Sequence, residues 1–407
     1  MTRTRRPAPA LPRRSALLLP FAPLAAGCRR IGGETPGPPD PPGGLDGAWR
    51  TDYTDPRRPS YLSDLVGVSA DEAWGVVLAR PEHPSGLLHL SAGRWRREPL
   101  PGRYDDAAML RLAASGPDDV WLYAVAQPVP WLEQPVDKPR PVLRRHGGRW
   151  HTVPVDFGVL SLATAGPGQT WAADERGILR HWDGRRWRKT DLPGRHLAQG
   201  TTVVRALAVD ARTADDIWVA GTQITWSGPE QPAVLHGDGR TWRTVGTPTY
   251  RFDDDSVLRE ETAVLTAIRA LGPGEVWASG THTRHHEDEE HGGPQDEYFR
   301  LRWDGARFVP APSLPRSPDV SGALPLPVPD GAGGQVHGGW LRRRADGTFR
   351  GIGAPAGTGG WAGSPTGPTR LQVYLPTPLP GTRTVLGAGR LSTGESAQAV
   401  VVRYDAP

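Results

Sequence analysis

The chain of 407 residues contains one cysteine, two methionines and two lysines, Lys138 and Lys189. A single cysteine excludes a disulfide scaffold and any cysteine-rich metal site. The near-absence of lysine beside abundant arginine is a coding bias and points to no arginine-specific task. Long apolar runs are also missing. The longest, Ser15 to Leu24, is short and broken by proline, so it cannot persist as a membrane-spanning helix. What the chain has in quantity is glycine (51) and proline (44), which favour turns and short strands over long helices.

The net charge of +4 does not mark a nucleic-acid binder. Residues 1–27 carry five arginines (3, 5, 6, 13 and 14) and no acid. Without them 43 basic residues face 44 acidic ones, and the electrostatic case for a nucleic-acid partner disappears.

Those 27 residues read as an export signal, with arginines first, then the apolar stretch SALLLPFAPL, then the small residues Ala25, Ala26 and Gly27 before Cys28. LAAGC resembles the lipobox of bacterial lipoproteins, with Leu24 one position further from the cysteine than usual. The resemblance implies lipidation of Cys28 and a membrane partner reached through that lipid, at the outer face of the cell membrane. Residues 28–44 are rich in proline and glycine and lack an apolar period. They read as an extended tether of roughly 3.1 Å per residue. The folded body is expected over residues 45–407.

That body repeats itself. LVGVSADEAW, LRLAASGPDDVW, LSLATAGPGQTW, VRALAVDARTADDIW and LTAIRALGPGEVW end at Trp74, Trp121, Trp171, Trp218 and Trp277. Each pairs with a second half such as LRHWDGRRW, VLHGDGRTW or LRWDGARF, in which a two-residue Asp-Gly turn separates two strands. Four strands per unit at about 50 residues is the period of a propeller blade. Five clear units, a degenerate sixth over 321–350 with Val336 at the Trp position, and a seventh starting near Thr369 give an all-β, seven-bladed propeller. The seventh unit lacks its outer strand, and the N-terminal segment Leu45–Trp49 is expected to supply it. The repeat resembles bacterial propellers of the Asp-box and Kelch-like kind, although Asp is followed here directly by Gly. That resemblance implies the fold and no particular activity.

Most tryptophans fall at blade-periodic positions and read as packing, Trp340 among them on the third strand of blade six. Three stand outside the period: Trp131, Trp226 and Trp361, in connections where an aromatic could stack on a sugar or anchor a partner. Two charged loops flank blade five. Residues 250–261 hold Asp253 and Asp255. Residues 281–297 hold His282, His285, His286, His291 and Glu287. No cofactor motif is evident, and calcium or zinc is the ion class that such a loop pair would take. Its spacing matches neither HExxH nor an EF-hand. No nucleophile elbow or phosphate loop is present, nor the Arg-Ile-Pro element of sialidases. Cys28 lies outside the propeller, which excludes a galactose-oxidase-type crosslink. The favoured reading is a monomeric, non-enzymatic module for a protein or glycan ligand. The alternatives are a carbohydrate-active hydrolase or lyase and a metal-dependent binding protein.

Overall fold

A computed structural model describes residues 44–79, 85–101, 104, 109–128, 139–193, 202–225, 229–251, 261–284, 295–312, 314, 325–356, 369–393 and 396–407. Among these there is no helix. The strands form seven sheets arranged as seven blades of a propeller. In each blade the strands run a to d from the axis outward. Blade one is Ser60–Gly67, Ala73–Ala79, Gly86–Ser91 and Arg94–Pro99. Blades two to five occupy 110–153, 159–189, 202–245 and 261–310 in the same a-b-c-d order.

The grading of polarity across a blade follows from this stacking. Strand b is flanked by two strands and covered by two neighbouring blades. It is therefore apolar on both faces: Trp74, Val76 and Val77 are all buried. Strand d is the outer edge, and Arg94–Pro99 alternates between exposed and half-buried positions. Charged outer edges also discourage pairing with other chains.

The c–d turns are of two kinds. Ala92-Gly93 and Gly147-Gly148 have positive φ at both residues, as a two-residue hairpin turn demands. In the Asp-Gly turns of blades three, four and five only the glycine does, with φ of 92° at Gly184, 81° at Gly239 and 103° at Gly305. There the aspartate works as an acceptor instead. Asp238 Oδ1 takes the N–H groups of Arg240 at 2.8 Å and Thr241 at 2.6 Å, and Asp183 and Asp304 do the same one blade either side. These backbone donors hold the Asp183 and Asp238 carboxyls down at about 2.

The ring closes through the N-terminus, in two steps. Arg50–Thr54 pairs antiparallel with Ser396–Asp405 and is the outer strand of the last blade. The segment before it, Leu45–Ala48, instead pairs parallel with Phe349–Gly353 as a fifth strand on blade six. The N-terminus therefore grips two blades, and the strand completing blade seven begins one residue after the expected Leu45–Trp49. Buried charge fixes this clasp. Asp46 accepts from Arg342 at 2.6 Å and from Arg344 at 2.5 Å, and Arg342 also donates to Asp330 at 2.6 Å. Tyr404 donates to the Asp46 carbonyl at 2.7 Å. Trp340 lies in the turn before strand c of blade six, Leu341–Arg343, and not on the strand: Gly338, at φ 57°, starts that turn.

Six apolar clusters weld neighbouring blades: one to two, two to three, three to four, four to five, six to seven, and seven to one. Among the described residues none joins five to six.

Candidate functional site

The repeating Trp of strand b is the anchor of a local triad. Two residues earlier stands an acid, and opposite on strand c stands a histidine or arginine. In blade one Glu72 accepts from Trp74 Nε1 at 3.2 Å and lies 3.0 Å from His89 Nε2, while His89 stacks on the indole at 3.8 Å. In blade two Asp119 takes Trp121 Nε1 at 3.0 Å and Arg144 Nε at 2.8 Å. In blade three Gln169 replaces the acid. His181 still stacks on Trp171 at 4.7 Å, and burial, only partly opposed by Asp183 through space, pushes its pKa down. These groups hold each blade together, so the matching His181 and His236 positions are architecture.

Blade four carries the same triad, and here a surface cleft lies beside it. Asp216 Oδ1 accepts from Trp218 Nε1 at 2.8 Å and from His236 Nε2 at 2.9 Å, and its Oδ2 accepts from Arg212 Nε at 2.7 Å. Burial alone would raise the Asp216 pKa. The three donors outweigh it and hold the carboxylate below its ordinary value. Arg243 Nη2 donates to His236 Nδ1 at 3.2 Å, which fixes the imidazole as the neutral Nε2–H tautomer. The turns of blades four and five separate here and leave a cleft of about 380 Å³ lined by Arg212, Asp216, Trp218, His236, Arg243 and Trp303. It offers guanidinium donors, an anchored carboxylate and indole edges, a set suited to a hydroxyl-rich or acidic ligand.

The cleft lies on the rim formed by a–b and c–d turns, opposite the rim on which the sequence places its candidate loops. Repetition hides it: DIW and HGDGRTW read as ordinary blade elements. Of the expected site residues, Trp131, Trp226, Trp361, His285, His286, His291, Asp253, Asp255, Glu287 and Cys28 lie outside the described residues. His282 is described. It is 2% exposed, with Nε2 at 2.6 Å from Glu261 Oε1, Nδ1 at 3.6 Å from Glu297 Oε2 and the Tyr250 ring 5.5 Å away. It lies on strand b of blade five, Glu275–Arg284. Among the described residues no group of three His, Cys, Asp or Glu is placed to hold a metal ion.

Around the axis, charged residues staple strand a of one blade to the next. Asp64 accepts the Leu112 N–H at 2.7 Å, and Asp210 accepts that of Ala270 at 2.7 Å. Burial raises both carboxyls; Arg111 opposes it most among the charges at Asp64, and Arg269 lowers both through space. Arg111 Nη1 lies 3.5 Å from Asp64.

No family model matches the chain, and no curated protein matches its sequence. Solved structures resemble it in shape at low identity. YCF48 from Cyanidioschyzon merolae is 14% identical, with a TM-score of 0.46 over 88% of this chain and 98% of its own. Trypanosoma rangeli sialidase in complex with sialic acid is 10% identical, with a TM-score of 0.33 over 88% of this chain and 54% of its own. The WD40 β-propeller domain of Doa1 is 9% identical, with a TM-score of 0.31 over 86% of this chain and 96% of its own.

Proposed function

We propose that the chain is an exported lipoprotein of the Asp-box and Kelch-like kind, held at the outer face of the cell membrane through Cys28 and a tether over 28–44. On this reading it binds a protein or glycan without turning it over. The observation that carries the reading is the cleft between blades four and five, where the half-buried Asp216 and His236 are rimmed by the exposed guanidiniums of Arg212 and Arg243. Its chemistry favours binding over hydrolysis. A glycosidase pair needs one carboxyl kept protonated beside one kept ionised. Here Asp216 is held ionised, and Asp215 accepts a hydrogen bond from Thr213 Oγ1 at 2.5 Å.

The test is a binding screen of the full chain against acidic and neutral glycans and surface proteins, repeated with Arg243→Ala. Losing one charge-assisted hydrogen bond should weaken capture about tenfold or more at unchanged melting temperature. Equal capture by the variant would remove the cleft as the site. Cys28→Ala should move the protein from the membrane to the soluble fraction. Retention there would remove the lipid anchor.

A further inference from the structure

The seam between blades five and six differs in chemistry from the other six. The face that blade five turns to blade six carries Trp277 and Arg300, and blade six answers with Gln335 and His337. The Trp277 and His337 rings lie 5.6 Å apart, edge to face, and the Arg300 guanidinium stands 5.8 Å from the same indole. All three side chains are sealed from solvent, at 5%, 6% and 0% exposure. Yet Trp277 Nε1, Arg300 Nη1 and His337 Nδ1 each lack a hydrogen-bond partner among the described residues. Ten such buried atoms occur among the described residues, and the three in this seam combine an indole donor, a guanidinium with no carboxylate partner and an imidazole acceptor.

Each orphan has a local cause. Trp277 would donate to Glu275, as its counterparts do to Glu72, Asp119 and Asp216. Glu275 instead accepts from the Gln335 amide across the seam, and the Trp277 N–H makes no bond to it. The Gln335 amide nitrogen is thereby occupied, so its oxygen faces His337 Nε2 at 3.2 Å and the proton sits on Nε2. His337 Nδ1 is left as a bare acceptor. Arg300 donates through Nη2 to the Pro312 carbonyl at 3.3 Å, and no carboxylate among the described residues pairs with it. Burial alone pulls its pKa to about 10, with no acid to oppose the pull.

Arg343 also faces His337 from blade six, and Glu275 is engaged by Gln335, so Arg300 is left with no acid while the seam presents two free donors and one free acceptor among the described residues. A group that satisfies all of these accepts twice, donates once and carries one negative charge. Water lacks the charge, and chloride or a simple carboxylate lacks the donor. We propose that this seam is a binding site for a small hydroxylated oxyanion of the hydrogencarbonate or dihydrogenphosphate class. Its oxygens would accept from Arg300 and Trp277, and its hydroxyl would donate to His337. The proposal stands apart from the cleft between blades four and five and does not need it.

The experiment is thermal unfolding of the full chain at pH 7 in hydrogencarbonate, phosphate, chloride and acetate at equal ionic strength. A ligand bound only by the folded state raises the melting temperature, here by about 3 °C or more at saturation. The rise should appear with hydrogencarbonate or phosphate, the comparison of the two naming the source, and not with chloride or acetate. Trp277→Phe and Arg300→Met should each abolish it. Trp277→Phe keeps an aromatic ring and all charges, so it reports even where the arginine variant does not fold. Coincident melts in the four salts would mean that the seam holds water only and would overturn the proposal. So would a rise of equal size in Trp277→Phe.

Discussion

Blade five meets its two neighbours in opposite ways. Toward blade four it presents Leu265, Val276, Ala278, Leu301, Trp303 and Phe308, interlocked with Trp218, Val234 and Val245. Toward blade six it presents Trp277 and Arg300 to Gln335 and His337. The same strands supply both faces, because neighbours in a strand point to opposite sides: Val276 and Ala278 go one way and Trp277 the other. One seam is a hydrophobic weld and the other a polar joint. A propeller's stability is approximately a sum of blade terms and neighbour terms. The comparison therefore teaches where the ring is weakest, and why blade six needs the extra grip of Leu45–Ala48 on its outer edge.

The largest effect should come from cutting the weld. Trp218→Ala removes the centre of the four–five cluster and should cost about 3–5 kcal/mol, read from denaturant unfolding. A cost under about 1 kcal/mol would mean that the apolar seam does not carry the ring. The second test removes the grip on blade six. Asp46→Ala leaves Arg342 and Arg344 without their shared carboxylate and should cost about 3 kcal/mol. The bond from Arg344, with help from Arg342, holds the Asp46 pKa at about 2, below its unfolded value. Its contribution is therefore present above about pH 4 and lost as pH falls toward 2. In Asp46→Ala that acid-sensitive component should be missing from the pH profile.

Much of the ring is legible in the sequence, because a blade is a local pattern repeated. Trp74 to Trp277 mark strand b, and RYD at the end of the chain lacks an outer strand. The division of the N-terminus between two blades is not legible. Leu45–Ala48 and Arg50–Thr54 are both short and polar-alternating, and only the partners Arg342 and Asp330 decide which strand goes where. The cleft and the polar seam share one cause of invisibility. Trp218 and Trp277 occupy equivalent positions, yet Asp216 binds its own blade's indole while Glu275 reaches across to Gln335. That difference depends on a residue 60 positions away, and Val336 in the degenerate sixth unit gives no sign of it.

The third prediction uses pH to load the polar joint. His337 is buried and faces Arg300 and Arg343, with Gln335 on Nε2. Burial first, then the two guanidinium groups, push its pKa down to about 3. A histidine lowered in the fold gains its proton in the unfolded chain first. Stability should therefore fall as pH drops below about 6.5 and continue to fall toward pH 3. The loss between pH 7 and pH 5 should be about 2 kcal/mol from this residue. Unfolding curves of His337→Gln at the two pH values should lack it. An unchanged loss in the variant would place the acid sensitivity elsewhere.

The smallest effect is the most discriminating, because it compares the two seams by the same substitution. Phenylalanine at position 218 or 277 keeps a ring in the seam and removes the indole N–H. At Trp218 that N–H donates to Asp216 at 2.8 Å, and losing it leaves a half-buried carboxylate one donor short. At Trp277 it has no partner among the described residues, so its removal also removes an unsatisfied buried donor. The loss of ring volume is similar at the two sites and largely cancels in the comparison. Trp218→Phe should therefore cost about 1–2 kcal/mol more than Trp277→Phe, measured in buffer free of oxyanions. Equal costs would mean that the Trp277 N–H is engaged and that the two joints of blade five are alike. With hydrogencarbonate or phosphate added, the gap should narrow, because the indole N–H at position 277 then also has a bond to lose.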